Sequence, residues 1–559
     1  MIKTKTFSKL AQAACSEKAK HVYRAIPTVL CWFYAILSLA AVLYYTIWPA
    51  EGYFHSDCTD TIYWAQASVD GGAVFNPDFC YAALLPFSAS VWLIPLIKIF
   101  GVTMTTHVIG MVIFALLFFL SVIFVCRSLE WSWNVTLLTS GSVMLLLSSS
   151  DKMREIMWGH VIYYSLGLLI LFTGLGLLLR MCKSFETGKN VKAYIYAAVL
   201  LVFMTLGATN GLQCIAIYTL PLIAAIAAEI FFNSKEKIIS RHNMFHGFGM
   251  LILCLSMFLG LIILNLWKGD IVAGYANAYS LLDDVANWVD NLLIFPESYL
   301  SLFGIKIADG ASLGSMETIA SLVKTVVAAV LLVLPVVLLL CYKNIKERGT
   351  KLLLWAHIAV SAVIMIGFIC GRLSAGNWRL IPMVGTSILV SFAAVREMFT
   401  MENAALVWKR VGVIMLIVPI MGSLVNFKEI TDMPKDYGRD NELHALAEFL
   451  EEQGLEYGYA TFWNSQTLTL ISDSEVRVRS VNADSKNSVA PYYYQTNKTW
   501  YEDQEGVEKY FVALTNYEAS VVSYNTEWTD IKDAHLLETF TCGNFKIFVF
   551  DVNIFTVTE

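Results

Sequence analysis

Charged residues are scarce in this sequence. Asp, Glu, Lys and Arg make up 15% of its 559 residues, whereas hydrophobic residues make up 57%. A typical soluble protein is about one quarter charged, so the composition excludes a wholly soluble chain. The formal net charge is −6, and we predict no nucleic-acid partner. The sequence also contains no internal repeat and no low-complexity stretch.

Long apolar runs recur as far as about Asn426, and the composition then becomes ordinary. We predict a polytopic α-helical membrane protein with about 11 transmembrane helices and a C-terminal extracytoplasmic α/β domain. The predicted divisions are a cytoplasmic tail (1–25), a transmembrane domain (26–427) and a soluble domain (428–559). The predicted spans are 26–48, 104–126, 133–150, 161–181, 194–209, 212–232, 248–267, 319–342, 352–370, 379–395 and 411–427.

A signal-peptide cleavage site is missing after the first run, which is too long for a signal-peptide core. We therefore predict an uncleaved first span with the N-terminus in the cytoplasm. The apolar segment 82–100 contains Pro86 and Pro95. If it crossed the membrane, the most basic loops would lie outside, against the positive-inside rule. We predict an interfacial or broken helix instead, in a multi-pass protein of the cell membrane.

Lys and Arg are absent from residues 49–79, which contain five acidic residues. With eleven spans, this loop shares the outer face with three other polar segments and with the C-terminal domain. The three segments are 150–160, 268–318 and 371–379.

The C-terminal domain shows both helical and strand patterns. NELHALAEFLEEQGLE has helical spacing and ends near Gly454. Short β-rich runs follow, and we predict them as strands. They are YGYATF, VRVRSV, YFVAL, ASVVSY and NFKIFVFDV.

Three motifs resemble the GT-C superfamily of membrane glycosyltransferases. The first is Asp60-Thr-Ile-Tyr63-Trp64-Ala65, with Gly71 after it and Asp57 before it. The second is LIKIFG, which ends at Gly101, and the third is GLEYGYATFWNSQTLTLISDSEVRV in the tail. Many members have two adjacent acids where this chain has Asp57-Cys-Thr-Asp60, which leaves the catalytic position open between the two.

The resemblance implies sugar transfer from a polyprenyl-phosphate donor to an envelope glycan, lipid or protein, among membrane lipids. Such a donor already carries a good leaving group, so the site needs a base and cations rather than an acid. We predict Asp57 or Asp60 as the base. For the donor phosphate we predict Arg372, Arg379, Lys152 and Arg154, and for sugar or acceptor contacts Tyr63, Trp64, His160 and Glu155.

Several alternatives stay open. Each acid also fits a helix N-cap or a solvated loop residue. Glu155 and His160 would assist or bind a divalent metal, but one His with scattered acids is a poor metal signature. Cys58 and Cys80 are either a disulfide or two free thiols. Instead of a transferase, the chain would be a lipid-linked glycan flippase or a non-catalytic envelope assembly protein.

Overall fold

The computed structural model describes most of the chain. The described residues are 17–557 except 234–238, 275–280, 307–309, 311, 373–375, 401–405, 436–440 and 487, with 17–25 described by backbone alone. The predicted tail 1–25 therefore lies largely outside the described residues. The middle of the predicted turn 371–379 lies outside them too.

Ten helices in the described part of the chain are long and apolar enough to cross a membrane. Their bounds are Glu17–Ile47, Met104–Ser128, Tyr163–Glu186, Asn190–Ala208, Gly211–Phe232, Arg241–Lys268, Met316–Leu340, Arg348–Cys370, Ile381–Thr400 and Leu406–Thr431. A 3₁₀ turn, Asn377–Leu380, leads into the ninth helix. The tenth continues past the predicted boundary at 427. The predicted polytopic helical fold is confirmed.

The remaining predicted span, 133–150, contains the shorter helix Trp133–Leu146. The helix starts beside the first membrane helix, where Trp133 stacks on Trp32 at 5.8 Å between ring centroids. The residues just after it contact helices from elsewhere in the bundle, since Ser150 donates to the carbonyl of Leu302. At about 1.5 Å per residue, the helix alone is shorter than a membrane core is thick, but the segment 133–150 still runs from one end of the bundle to the other.

The segment 82–100 contains an 11-residue helix, Ser90–Phe100, with Pro95 inside it. Such a helix is about 17 Å long, too short to cross a bilayer. The structure therefore agrees with an interfacial helix here rather than a span.

The polar loops gather at the end of the bundle that carries the C-terminal domain. There, the Met104 amide donates to Asp473 of the domain at 2.9 Å. The opposite end holds basic residues paired with acids. Arg348 contacts Glu229 at 2.7 Å, and Lys183 contacts Glu130 at 3.1 Å.

The C-terminal domain is a six-stranded mixed sheet with helices. The strands of the chain are β1 (Phe79–Cys80), β2 (Tyr457–Thr461), β3 (Arg477–Asp484), β4 (Ser488–Pro491), β5 (Thr496–Asn497), β6 (Tyr510–Thr515), β7 (Leu536–Cys542) and β8 (Phe545–Phe550). The sheet order is β4-β3-β2-β6-β8-β7, with β2 parallel to β3 and β6. The domain's helices are Glu442–Glu452, Phe462–Ile471, Asn516–Val522 and Thr526–His535.

One predicted strand is wrong. ASVVSY lies mostly within the helix Asn516–Val522. Its N-cap Thr515 and Glu518 form a reciprocal capping box, in which each side chain accepts from the other residue's backbone amide. This local capping stabilises a helix start and outweighs the β-preference of the two valines.

The predicted outer loop 49–103, the first outer loop, is docked against the C-terminal domain. β1, from the loop, pairs antiparallel with β5, from the domain. Thr59 donates to Gln466 at 2.8 Å, and Ser56 donates to the carbonyl of Phe462. Gln495 is fully buried, and its Oε1 accepts from the Trp64 indole at 2.8 Å and from the Ala82 amide at 3.2 Å.

Gln495→Ala is expected to loosen this docking. The change leaves the Trp64 and Ala82 donors buried without an acceptor, which costs roughly 1–3 kcal/mol for each. Hydrogen exchange of the full chain in nanodiscs should show faster exchange in β1 and β5, with Gln504→Ala, on the surface of the same domain, as the matched control. Equal exchange in both variants would contradict the assigned role of Gln495.

Candidate functional site

A cavity of about 940 Å³ lies between the bundle and the C-terminal domain. Its walls come from the first outer loop, the segment around 152–164, Trp378, and the domain. It brings together six of the sequence-predicted site residues. They are Asp57, Asp60, Trp64, Lys152, Glu155 and His160.

Asp60 begins the helix Asp60–Gly71 and is buried in the cavity wall. Its Oδ2 lies 3.0 Å from Nε2 of His160, and its Oδ1 has no hydrogen-bond partner. Burial raises the pKa of the Asp60 carboxyl above its ordinary value, and the hydrogen bond and charge of His160 offset part of that rise. Asp60 is therefore a buried carboxylate that His160 holds through one of its oxygens.

An irregular backbone positions His160. Residues Glu155–His160 form a π-helix, and Val161 after it has φ 49°, in the left-handed region. A β-branched residue rarely adopts that conformation, and such strain is concentrated at functional sites, as are π-helical turns. The wider turn presents both Glu155 and His160 to the cavity.

Glu155 is held as an ion by two neighbours. Its carboxylate contacts Lys152 at 2.7 Å and His55 at 3.3 Å. Burial alone would raise the pKa of Glu155. The hydrogen bonds and charges of His55 and Lys152 outweigh burial and lower that pKa to about 2. Glu155 is thus poorly suited to accept a proton and instead orients Lys152.

Of the four predicted phosphate-binding residues, Lys152 alone lines the cavity among the described residues. Its ammonium lies 5.2 Å from the centroid of the Trp378 ring. Arg154 is buried instead, where it bonds to Asp151 and lies over the ring of Tyr45. Arg154 does not line the cavity.

The two arginines of the 371–379 segment are separated from the cavity. Arg379 donates to the carbonyl of Gly367 and lies within hydrogen-bonding reach of Tyr164, which lines the cavity. The Arg372 side chain is exposed, and its backbone amide donates to Leu281. Arg379 therefore acts on the cavity only through Tyr164.

Tyr63 does not line the cavity, in contrast to Trp64. It is buried against the C-terminal domain, 5.8 Å from the Trp500 ring, and interacts with Arg479. Helical geometry explains the difference, since consecutive residues point in directions about 100° apart. Tyr63 belongs to the docking interface.

Cys58 and Cys80 are both free thiols in the structure, which is one of the two alternatives that the sequence left open. Cys58 is buried beside Gly159, and Cys80 lies in β1. The β1–β5 pairing braces the loop without a covalent bond. In the described part of the chain, no group of three or more His, Cys, Asp or Glu side chains is arranged to hold a metal ion.

Two apolar pockets continue from the cavity along the bundle. The first, of about 140 Å³, shares Trp64 and Ala83 with the cavity. The second, of about 320 Å³, shares Val91 with the first and is lined by Leu117, Leu166 and other residues of the membrane helices. Apolar pockets therefore lie beside the cavity, and the second is lined by residues of the membrane helices.

A membrane bundle whose first outer loop carries a buried acid beneath a soluble α/β domain has the layout of the GT-C glycosyltransferases. The comparison with solved structures confirms this resemblance at the level of the fold. No protein-family model and no curated protein matches the chain in sequence.

The chain is similar to ArnT from Cupriavidus metallidurans. Against the structure bound to undecaprenyl phosphate, the TM-score is 0.51 at 10% identity, covering 92% of this chain and 97% of that one. Against the apo structure, the TM-score is 0.51 at 10% identity, with 97% and 99% covered. The oligosaccharyltransferase from Archaeoglobus fulgidus gives 0.44 at 10% identity, with 80% and 64% covered.

Removing His160 is expected to raise the pKa of Asp60 further. In His160→Leu, the hydrogen bond that favours the ionised carboxylate is lost while burial remains. Infrared titration of the protonated-carboxyl band should show that band persisting to higher pH than in the unmodified protein. Asp60→Asn identifies the band by deleting it. An unchanged or lower midpoint in His160→Leu would contradict the assigned interaction.

Proposed function

We propose that the protein is a membrane glycosyltransferase that moves a sugar from a polyprenyl-phosphate donor to a cell-envelope acceptor at the outer face of the membrane. One observation carries this proposal. A buried carboxylate held by a histidine lies on a cavity beside apolar pockets, one of them lined by residues of the membrane helices. The ArnT structure bound to undecaprenyl phosphate, which has the same fold, supports this class of donor.

Asp60 is the proposed base. The acceptor hydroxyl donates its proton to the Asp60 carboxylate as its oxygen attacks the sugar carbon that bears the phosphate. The bond between that carbon and the phosphate oxygen breaks, and the polyprenyl phosphate leaves as an anion. A raised pKa strengthens Asp60 as a base, and His160 fixes the orientation of its carboxylate.

Asp57 also lines the cavity and is the second acid. Its charge raises the pKa of Asp60, because a second anion nearby disfavours ionisation of the first. We assign Asp57 a role in setting the basicity of Asp60. The direct proton transfer belongs to Asp60 because Asp60 is the more buried of the two and is held by His160.

Lys152 is the proposed partner of the donor phosphate. Lys152 is part-exposed and lines the cavity, with Glu155 and Trp378 fixing its position. A lysine placed in this way stabilises the charge that grows on the leaving phosphate. The polyprenyl tail would lie along the two apolar pockets.

The outer-face location rests on charge. The end of the bundle opposite the cavity carries basic residues such as Lys183, Lys189, Lys192 and Arg241, and such loops are retained in the cytoplasm. The cavity and the C-terminal domain would then lie outside. The proposed reaction uses no metal ion. Its acceptor is an envelope glycan, lipid or protein.

Asp60→Asn is expected to abolish transfer, because general-base catalysis contributes roughly 10²–10⁴-fold. In a deletion strain complemented with this variant, mass spectrometry of envelope glycans should still show the glycan defect of the deletion. Asp70→Asn, on the exposed end of the same helix, should restore the glycan, and Asp57→Asn should restore it in part. Full restoration by Asp60→Asn would contradict the mechanism.

Folding is checked separately for Asp60→Asn. Because the pKa of Asp60 is raised in the folded state, the ionised carboxylate lowers stability at pH values above that pKa. The Asn variant should therefore unfold at the same or a higher temperature than the unmodified protein at neutral pH. A lower Tm would attribute the lost glycan to misfolding.

Lys152→Ala is expected to weaken binding of undecaprenyl phosphate by roughly 10-fold or more, since a hydrogen bond to a charged group contributes about 1.5–3 kcal/mol. Binding is measured with the full chain in nanodiscs. Lys306→Ala is the matched control, because Lys306 lies at the same end of the bundle and is 85% exposed. Equal affinity in the two variants would exclude Lys152 from the phosphate site.

A further inference from the structure

The C-terminal domain exposes large aromatic side chains on the wall of the cavity. Trp463 is 58% exposed and Tyr493 is 57% exposed, and both line it. The other aromatic residues that form the domain's core, such as Tyr457, Tyr459 and Trp528, are fully buried. The exposed surface of Trp463 and Tyr493 does not contribute to the hydrophobic core of the domain. Both side chains are therefore available to a ligand.

The wall has a fixed geometry. Phe462 lies 5.2 Å from Tyr494 and 5.9 Å from Tyr492, measured between ring centroids. Trp463 contacts His55 of the first outer loop at 5.9 Å. These contacts hold the aromatic rings in place before any ligand arrives, which lowers the entropy lost on binding.

The wall also lies where open α/β sheets bind ligands. Trp463 follows the carboxyl end of β2, and Asn482 and Asp484 occupy the carboxyl end of the parallel neighbour β3. Ligands of such sheets bind outside the carboxyl ends of parallel strands. Asn482 and Asp484 both line the cavity and supply an amide and a carboxylate beside the rings.

Aromatic faces next to an amide and a carboxylate match the chemistry of a sugar ring. The C–H groups on one face of a pyranose pack against an aromatic face, and its hydroxyls hydrogen-bond to amide and carboxylate groups. We propose that this wall, formed by Trp463, Tyr493, Asn482 and Asp484, is a carbohydrate-binding subsite that holds the acceptor. This rests on the proposed function, and it makes the acceptor a glycan.

The position of the wall assigns the sugar to the acceptor rather than to the donor. The donor's lipid reaches the cavity on the bundle side, where the apolar pockets meet it at Trp64 and Ala83. Its phosphate lies at Lys152, also on the bundle. The wall belongs to the C-terminal domain, so it meets the cavity from the domain rather than from the bundle.

Saturation-transfer NMR on the full chain in nanodiscs tests the subsite directly. The probes are maltotriose, mannotriose and chitotriose, each measured without donor. We expect transfer to the ring C–H protons of at least one trisaccharide, reduced about fivefold or more in Trp463→Ala and in Tyr493→Ala. Tyr517→Ala is the matched control, since Tyr517 is 77% exposed on the same domain away from the cavity.

The outcomes separate the subsite from the catalytic proposal. Sugar binding that persists in Asp60→Asn supports the subsite whether or not transfer occurs. Absence of transfer to all three sugars, or equal signals in Trp463→Ala and Tyr517→Ala, would overturn the subsite and leave the proposed reaction untouched. Displacement of the sugar by undecaprenyl-phosphate glucose would overturn the assignment to the acceptor, because the wall would then hold the donor's sugar.

Discussion

The contact between Asp60 and His160 is the interaction on which the candidate site depends. It joins residues 100 positions apart, one in the first outer loop and one at the end of a π-helix. The contact is buried, and the low dielectric constant around it makes the hydrogen bond stronger than it would be in water. It fixes one carboxylate oxygen and so sets the orientation of the carboxylate in the cavity wall.

The surroundings of this pair follow from how the C-terminal domain is docked. The β1–β5 pairing and the buried Gln495 hold the domain against the helix that carries Asp60. This docking excludes bulk water around Asp60 and raises its pKa through burial. The same docking creates the second wall of the cavity, so one interface sets both the basicity of the acid and the shape of the space in front of it.

Charge and hydropathy predicted the polytopic helical architecture, and ten of the eleven predicted spans contain helices long and apolar enough to cross a membrane. The prolines of segment 82–100, together with the basic loops, predicted a short helix there, and the structure has Ser90–Phe100. The motif around Asp60 also led to the buried acid. These features are local in sequence, or depend on bulk charge, and a single sequence contains that information.

Long-range contacts were beyond prediction from the sequence. The sequence favoured Arg372 and Arg379 over Lys152 as phosphate ligands, but Lys152 is the one of these three that lines the cavity. The π-helix that presents His160 has no composition signal, and the β1–β5 pairing joins two-residue strands too short to recognise. The helix Asn516–Val522 was predicted as a strand because its two valines favour β-structure. The capping box that starts this helix was not recognised.

The proposed function requires that the cavity beneath the C-terminal domain holds a polyprenyl phosphate whose tail runs into the membrane. A cryo-electron microscopy structure of the full chain with undecaprenyl phosphate tests this claim most directly. We predict the phosphate beside Lys152, on the same cavity as Asp60, with the tail passing Trp64 and Val91. A lipid phosphate bound elsewhere, for example in the separate pocket beside His357, would contradict the proposed donor site.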